Sequence, residues 1–118
     1  MVYTFKDIKV WQKAHLYVLE VYRVTKNFPK FEMYGLTSQL RKSSSSIATN
    51  IVEGYKRRTD KDFAHFLNIA ETSLEESKYQ LLLACDLNYL DSNEFVSLLA
   101  IAEEVGRMLS GFQKKLIA

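Results

Sequence analysis

The sequence predicts an all-α protein, an antiparallel up-and-down four-helix bundle that forms a single domain over residues 1–118. Apolar residues recur at spacings of three and four in every long segment, which is the period of an amphipathic helix. Four Gly and one Pro are too few for the many turns of a β-sandwich or barrel. A chain of 118 residues also suits a single hydrophobic core.

The first helix is predicted over about residues 7–28. Thr4-x-x-Asp7 resembles a capping box at its start. Pro29 marks its end, because a proline disfavours the helical conformation in the residue before it. Residues 29–35 then form the longest predicted connection.

The second helix is predicted over residues 36–55, although a run of four serines from Ser43 to Ser46 interrupts its apolar stripe. Such a run is typical of a linker. Leu40 and Ile47 are nevertheless seven residues apart, so the helical phase continues across the serines. We therefore expect one helix that places small side chains at a close helix crossing.

Two longer helices are predicted over residues 60–87 and 92–116. Sequence signals mark their ends: Thr59 or Asp60 as the first cap, Asn88 as the stop, and Asp91-x-x-Glu94 as the second cap. Because the connections between these helices are short, neighbouring helices are expected to run antiparallel.

Residues that catalyse reactions or bind metals do not form a recognisable constellation. A dinuclear metal site in a bundle needs Glu-x-x-His on two helices, and the only related motif is Asp62-x-x-His65 at a predicted helix start. The single Cys85 excludes an internal disulfide and a multi-cysteine zinc site. Lys42 lies beside four serines, but no Gly-rich turn accompanies them to supply an oxyanion site. We therefore predict no catalytic residue, no metal, no cofactor and no enzymatic activity.

The chain also lacks the sequence signals of membrane and exported proteins. No apolar run approaches the roughly 18 residues of a membrane span. Met1 leads straight into polar sequence without the apolar core of a signal peptide. We expect a soluble cytoplasmic protein that does not contact a membrane.

Charge is divided unevenly along the chain. The net charge is +2, yet residues 1–62 carry 12 Lys and Arg against 6 Asp and Glu, whereas residues 63–118 carry 4 against 8. A basic group with one interleaved aromatic residue occupies the second helix and its exit. Its members are Arg41, Lys42, Tyr55, Lys56, Arg57, Arg58 and Lys61.

Three interpretations of this basic group remain open. It is a solvated surface that maintains solubility, or it contacts the acidic helices of the next subunit in a head-to-tail ring. In the third interpretation its cations neutralise the phosphates of a nucleic acid while Tyr55 stacks on an unpaired base.

Apolar and aromatic residues exceed what a simple helix seam requires. The chain has seven Tyr, seven Phe and one Trp, and the predicted apolar faces are wide. The surplus indicates that some of this surface is buried between subunits. The candidates for that contact are Tyr3, Phe5, Tyr17, Phe31 and Tyr34.

The order and spacing of several short motifs resemble a known family. The motifs are Phe5-x-Asp7-Ile8-x-Val10-Trp11-Gln12-Lys13-Ala14, Phe28-Pro29, Tyr34-Gly35-Leu36, Gln39-Leu40-Arg41-Lys42, Ser46-Ile47-x-x-Asn50-Ile51-x-Glu53-Gly54, Phe63-x-x-Phe66-Leu67-x-Ile69-Ala70 and Ser73-x-x-Glu76. Together they resemble the four-helix-bundle family of proteins encoded in intervening sequences of bacterial 23S rRNA genes. The chain is also similar to the accessory protein of diversity-generating retroelements.

The resemblance implies a homopentameric ring of helical bundles with a nucleic-acid role and without catalytic residues. Five matched residues are expected to make structural or subunit contacts: Trp11, Gln39, Asn50, Glu53 and Gly54. The leading hypothesis is a non-enzymatic ring-forming bundle that binds RNA or DNA backbones through the basic group. The alternative is an oligomeric scaffold or accessory module that binds a protein partner and uses its charges in subunit contacts.

Overall fold

A computed structural model describes residues 4–117 and confirms the predicted four-helix bundle. The elements are a 3-10 turn at Phe5–Asp7, α1 at Lys9–Thr25, a 3-10 turn at Lys30–Glu32, α2 at Leu36–Tyr55, α3 at Asp60–Asp86 and α4 at Ser92–Ile117. Helix α2 packs against α3, α3 packs against α4, and α1 packs against both α2 and α4. The bundle measures 43 × 24 × 21 Å, and its long axis matches the roughly 40 Å expected for the 27 residues of α3.

Helix α1 is shorter than the predicted span of residues 7–28. The predicted capping box of Thr4 and Asp7 is present, but it starts the 3-10 turn rather than α1. Ile8 then adopts an extended conformation and separates the two helical segments. At the other end, α1 stops at Thr25, and the chain bends so that Phe28 enters the core without belonging to a helix.

Helix α2 continues through the serine run, as the spacing of Leu40 and Ile47 predicts. Ser43 and Ser44 are buried. The hydroxyl of Ser44 donates to the carbonyl oxygen of Arg41 at 3.1 Å, one turn back along the helix. Because their hydroxyls are bonded and their side chains are small, these serines fit a close helix contact without leaving polar groups unpaired.

The predicted caps at the start of α3 and α4 and the predicted stop after α3 are present, although α3 ends at Asp86 and α4 at Ile117, each one residue from the prediction. The Thr59 side chain accepts a hydrogen bond from the backbone N–H of Asp62 at 3.1 Å, so Thr59 is the cap of α3. Asn88 follows α3 with a φ of 63°, a left-handed conformation that Asn tolerates better than most residues. The carboxylate of Asp91 accepts from the N–H of Glu94 at 2.8 Å and caps α4.

The core corrects one prediction about the aromatic surplus. Tyr17 is fully buried and does not lie on a subunit surface. Its hydroxyl makes a hydrogen bond with the Ser77 hydroxyl of α3 at 2.9 Å, which satisfies the phenol inside the bundle. Burial raises the pKa of Tyr17 to about 12.

The other aromatic candidates lie in different environments. Tyr3 is outside the described residues. Phe5 is half-buried and packs edge-on against Trp11, with 5.0 Å between the ring centroids. Phe31 and Tyr34 are exposed on the connection between α1 and α2. None of the helices within residues 4–117 combines the length and the apolar character needed to cross a membrane.

Candidate nucleic-acid interface

The antiparallel topology collects cations from three distant parts of the sequence at one end of the bundle. Helices α2 and α3 meet there where Gly54 packs against Phe63. The last turns of α4 reach the same place, since the rings of Phe63 and Phe112 lie 5.2 Å apart. The start of α1 lies beside the end of α4, where Ile8 and Phe112 line one groove.

We call this surface the basic end and define it by its cations. They are Lys6, Lys9, Lys56, Arg57, Arg58, Lys61, Lys114 and Lys115. These eight are half of the 16 Lys and Arg in the chain. The same end carries four carboxylates, those of Asp7, Glu53, Asp60 and Asp62. The charge is therefore separated along the long axis of the bundle, whereas the sequence alone indicated a division between its two halves.

Gly54 allows α2 and α3 to approach each other closely at the basic end. A Cβ atom at this position would lie 2.7 Å from Cδ1 of Phe63 and 3.0 Å from Cβ of Phe66. The absence of a side chain thus allows α2 and α3 to cross in contact. The contact predicted for Gly54 therefore joins α2 and α3 of the same chain.

Arg57 contacts both an aromatic ring and a carboxylate at the basic end. Its guanidinium carbon lies 4.5 Å from the centre of the Phe66 ring, and Nη2 lies 3.5 Å from the Glu53 carboxylate. The Lys56 ammonium lies 5.8 Å from the centre of the Tyr55 ring, which is half-buried against the core. Arg58 and Lys61 are exposed and form no ion pair with any of residues 4–117.

Arg41 and Lys42 do not belong to the basic end, and this corrects the single basic group predicted from the sequence. They lie on the first turns of α2, whereas Tyr55 ends that helix. Arg41 and Tyr55 are 14 positions apart on α2, which corresponds to roughly 20 Å along the helix axis. The cations at the start of α2 and those at its end therefore form two separate groups, although they belong to the same helix and its exit.

The remaining predicted contact residues lie at three places. Trp11 stacks on His15 within α1, with ring centroids 4.9 Å apart and planes 8° from parallel. Asn50 donates to the Ser46 carbonyl oxygen at 2.8 Å. The Ser46 hydroxyl in turn bonds with the Ser73 hydroxyl of α3 at 2.9 Å, so Asn50 supports a polar contact between α2 and α3. Gln39 is exposed at the rim of the same helix contact.

Four cations of the basic end were not predicted as site residues. They are Lys6, Lys9, Lys114 and Lys115. A signal for them was available, because in an antiparallel bundle with an even number of helices the first and last segments emerge at the same end.

A groove of about 340 Å³, lined by three Glu residues, one Lys and one Arg, lies between α3 and α4. Oε1 of Glu71 is buried there without a hydrogen-bond partner among the described residues. Burial, followed by the neighbouring carboxylate of Glu75, raises the pKa of Glu71. Within residues 4–117, no group of three His, Cys, Asp or Glu side chains is arranged to hold a metal ion.

The sequence and the fold of this chain are similar to those of known proteins. A family model described as 23S rRNA-intervening sequence protein matches residues 6–111. A crystal structure from Bacteroides thetaiotaomicron VPI-5482, of a protein with unknown function from the S23 ribosomal protein family, has the same fold with a TM-score of 0.82. It shares 24% sequence identity, and the alignment covers 89% of this chain and 98% of that chain. None of the curated proteins matches.

Proposed function

The chain belongs to the family of 23S rRNA-intervening sequence proteins, and we propose that it is a non-enzymatic helical bundle whose basic end binds RNA or DNA backbones. The observation that carries the proposal is the convergence of eight cations from three sequence segments on one end. Cations gathered in this way release counterions from a nucleic acid when they neutralise its phosphates, and this release drives binding.

The predicted contact is with phosphates and only weakly with bases. Arg58, Lys61 and the lysines of α4 lie at helix ends and connections, and residues 4–117 contain no element built to read a groove. Tyr55 packs against the core and beneath Lys56, which leaves it less of its ring for stacking on a base than the sequence suggested. We therefore expect similar affinities for different sequences of the same shape.

Fluorescence anisotropy tests the proposal with a labelled RNA hairpin and a labelled DNA duplex, each titrated at about 50 to 200 mM salt. The test variant is Arg58→Glu/Lys61→Glu, which reverses two exposed charges of the basic end. The matched control is Lys26→Glu/Lys30→Glu, which reverses two exposed charges at the other end of the bundle. Both variants change the net charge equally.

We expect the test variant to bind at least about tenfold more weakly at low salt, with a salt slope reduced by about 1 to 2 because fewer phosphates are contacted. The control should bind like the parent protein. Equal losses in the two variants would indicate a general charge effect, and absence of binding at the lowest salt would exclude nucleic acid as the ligand of the basic end.

A second candidate function is self-association into a scaffold, and the outward face of α1 favours it. Leu16 and Leu19 lie three residues apart on the side of the helix away from the core, and the two residues are 42% and 53% exposed. Neighbouring large apolar side chains that are exposed in this way are typical of surfaces covered by another chain. We propose that a second copy of this chain covers them in a homo-oligomer, with the pentameric ring implied by the family as the expected form.

Native mass spectrometry tests this assembly, with a mass of five copies as the expected result. Leu19→Glu should release monomers, whereas Asn68→Glu on the exposed outer side of α3 should leave the assembly intact. An assembly held by apolar contacts should persist at high salt, whereas one held by charge should dissociate. A monomer at all protein concentrations would contradict the proposal.

A further inference from the structure

Arg41 is held in a fixed orientation by contacts on two sides. Its Nε–H donates to the Thr25 hydroxyl oxygen at 2.8 Å. Its guanidinium carbon lies 4.6 Å from the centre of the Tyr22 ring, a cation–π contact. Thr25 is itself fixed, since its hydroxyl donates to the Val21 carbonyl oxygen at 2.8 Å. The guanidinium is therefore ordered before any ligand arrives.

The two terminal amino groups of Arg41 make no hydrogen bond or ion pair with residues 4–117. Arg41 lines a groove of about 560 Å³ between the end of α1, the following connection and the start of α2. Of the described residues that line the groove, Lys42 is the only other charged one, and the hydroxyls of Ser38 and Ser45 accompany it. We call this the Arg41 groove.

The unused donors of Arg41 suit a carboxylate. A guanidinium presents two parallel N–H groups that bind both oxygens of a carboxylate, and it loses little entropy when its orientation is already fixed. Among residues 4–117, no acidic side chain lines the groove and competes for these donors. The groove thus has the charge and the hydrogen-bonding pattern of an anion site.

The apolar wall of the groove indicates a protein ligand. Tyr22, Met33 and Tyr34 form this wall, and Tyr34 is 97% exposed. Tyr, Met and Arg are among the residue types enriched in protein–protein interfaces, and Tyr and Arg are also enriched among the residues that dominate binding energy. A single small anion would leave this wall uncovered.

The surrounding charge disfavours a nucleic acid at this place. We call this part of the bundle the opposite end; its cations are Arg23, Lys26, Lys30, Arg41 and Lys42. They are balanced by Glu20, Glu32, Asp86, Asp91 and Glu94. A nucleic acid places several phosphates in a row and would meet these carboxylates. A short peptide with one or two carboxylates needs only Arg41 and Lys42.

We propose that the Arg41 groove binds a short acidic segment of a partner protein. One carboxylate of that segment bonds to Arg41 and Lys42, and a neighbouring apolar side chain packs against Tyr22, Met33 and Tyr34. This site is separate from the basic end and does not depend on nucleic-acid binding there.

Nuclear magnetic resonance tests the proposal with a defined probe, the peptide acetyl-Glu-Leu-Glu-Leu-Glu-Leu-amide, added to the ¹⁵N-labelled full chain. The control peptide replaces each Glu with Gln. We expect the Glu peptide to shift the side-chain Nε–H resonance of Arg41 and the backbone amides of Ser38 and Ser45. The Gln peptide should cause shifts at least about tenfold smaller at the same concentration.

Three variants locate the binding. Arg41→Lys keeps the charge but loses the two-pronged donor, and it should weaken the Glu peptide at least about tenfold. Tyr34→Ala changes a side chain that is almost fully exposed, so it should weaken binding several-fold without unfolding the protein. Arg58→Gln at the basic end should leave peptide affinity unchanged.

Four results would overturn the proposal. They are the absence of shifts at millimolar peptide, shifts confined to the basic end and lost in Arg58→Gln, a larger Arg41 shift with uridine monophosphate than with the peptide, and an Arg41 resonance that moves with protein concentration alone. The third result would assign the groove to a phosphate ligand, and the fourth would assign it to a second copy of the chain. Failure of RNA binding at the basic end would leave the proposal intact.

Discussion

The two ends of the bundle use their charged side chains differently. At the opposite end, several charged side chains make hydrogen bonds that join elements of the bundle. Arg23 donates to Glu20 and Glu94 and thereby ties the end of α1 to the start of α4. Glu32 accepts from the N–H of Leu36 and from the hydroxyl of Tyr89, joining both connections at that end. At the basic end, by contrast, six of the eight cations form no ion pair and no ring contact within residues 4–117.

This difference teaches that a count of charges does not define a binding surface. Arg41 and Arg58 carry the same side chain, but Arg41 donates a hydrogen bond to Thr25 and lies over the Tyr22 ring, whereas Arg58 is exposed. The Arg41 guanidinium has a fixed orientation and suits a ligand that accepts hydrogen bonds from one direction. Arg58 contributes its positive charge to the electrostatic potential of the surface. Each end therefore supports a different kind of recognition.

The largest expected effect comes from breaking the helix crossing beneath the basic end. Gly54→Leu forces a side chain into Phe63 and Phe66, and we expect the free energy of unfolding to fall by about 3 kcal/mol. Gly111→Ala is the matched control in α4, because beyond its own helix backbone no described atom lies within 4 Å of the added Cβ. It should stabilise the helix by about 0.5 to 1 kcal/mol. Urea denaturation measures both, and a Gly54→Leu protein as stable as its parent would contradict the close crossing.

A smaller effect is expected from releasing the opposite end. Glu32→Ala removes the carboxylate that caps α2 and holds Tyr89, and we expect a loss of about 1 to 2 kcal/mol in the free energy of unfolding. Tyr89→Phe keeps the cap and should lose less. Nucleic-acid affinity at the basic end should not change in either variant, and a parallel loss of affinity would show that the two ends are coupled.

Tyr17→Phe tests the core that both ends share. Loss of the hydrogen bond to Ser77 should reduce the free energy of unfolding by about 1 kcal/mol at neutral pH. Burial raises the pKa of Tyr17 from 10.0 to about 12, so its contribution is complete below about pH 10 and is lost as the pH rises toward 12. The variant should therefore approach the stability of the parent protein over that interval. Denaturation curves at pH 8, 10 and 11 measure the difference, which should narrow rather than widen.

The smallest effect concerns Glu71, in the groove between α3 and α4. Because burial raises the pKa of Glu71, its ionised form opposes folding at neutral pH. This cost disappears as the pH falls below the pKa of the folded state. Glu71→Gln should raise Tm by roughly 1 to 3 °C at pH 7, with a gain that diminishes toward pH 4. Glu76→Gln, at an exposed position of the same helix, should show no such pH-dependent gain.

The sequence predicted the helices well because each depends on local signals. The spacing from Leu40 to Ile47 carried α2 through the serines, and Thr59 and Asn88 marked the ends of α3. The early end of α1 at Thr25 was missed, because the side chain of Phe28 continues the apolar stripe although its backbone has left the helix.

The candidate site was predicted less well because it depends on contacts between distant residues. Nothing near Arg41 in the sequence indicates its bond to Thr25, 16 residues away. Lys114 and Lys115 join Lys6 and Lys9 only after four antiparallel helices have folded. A division of the chain into two halves thus describes only its composition. In the folded bundle the first and last segments lie at the same end, because the number of helices is even, and their lysines therefore share one surface.

The even number of helices also has a practical consequence for handling the protein. Thr4 and Ile117 both lie at the basic end, so a purification tag joined to either side of the described chain emerges beside its cations. Attachment to a sensor chip through such a tag would turn this surface toward the support. Coupling through the turn at residues 26–30 would instead leave the basic end facing the solution.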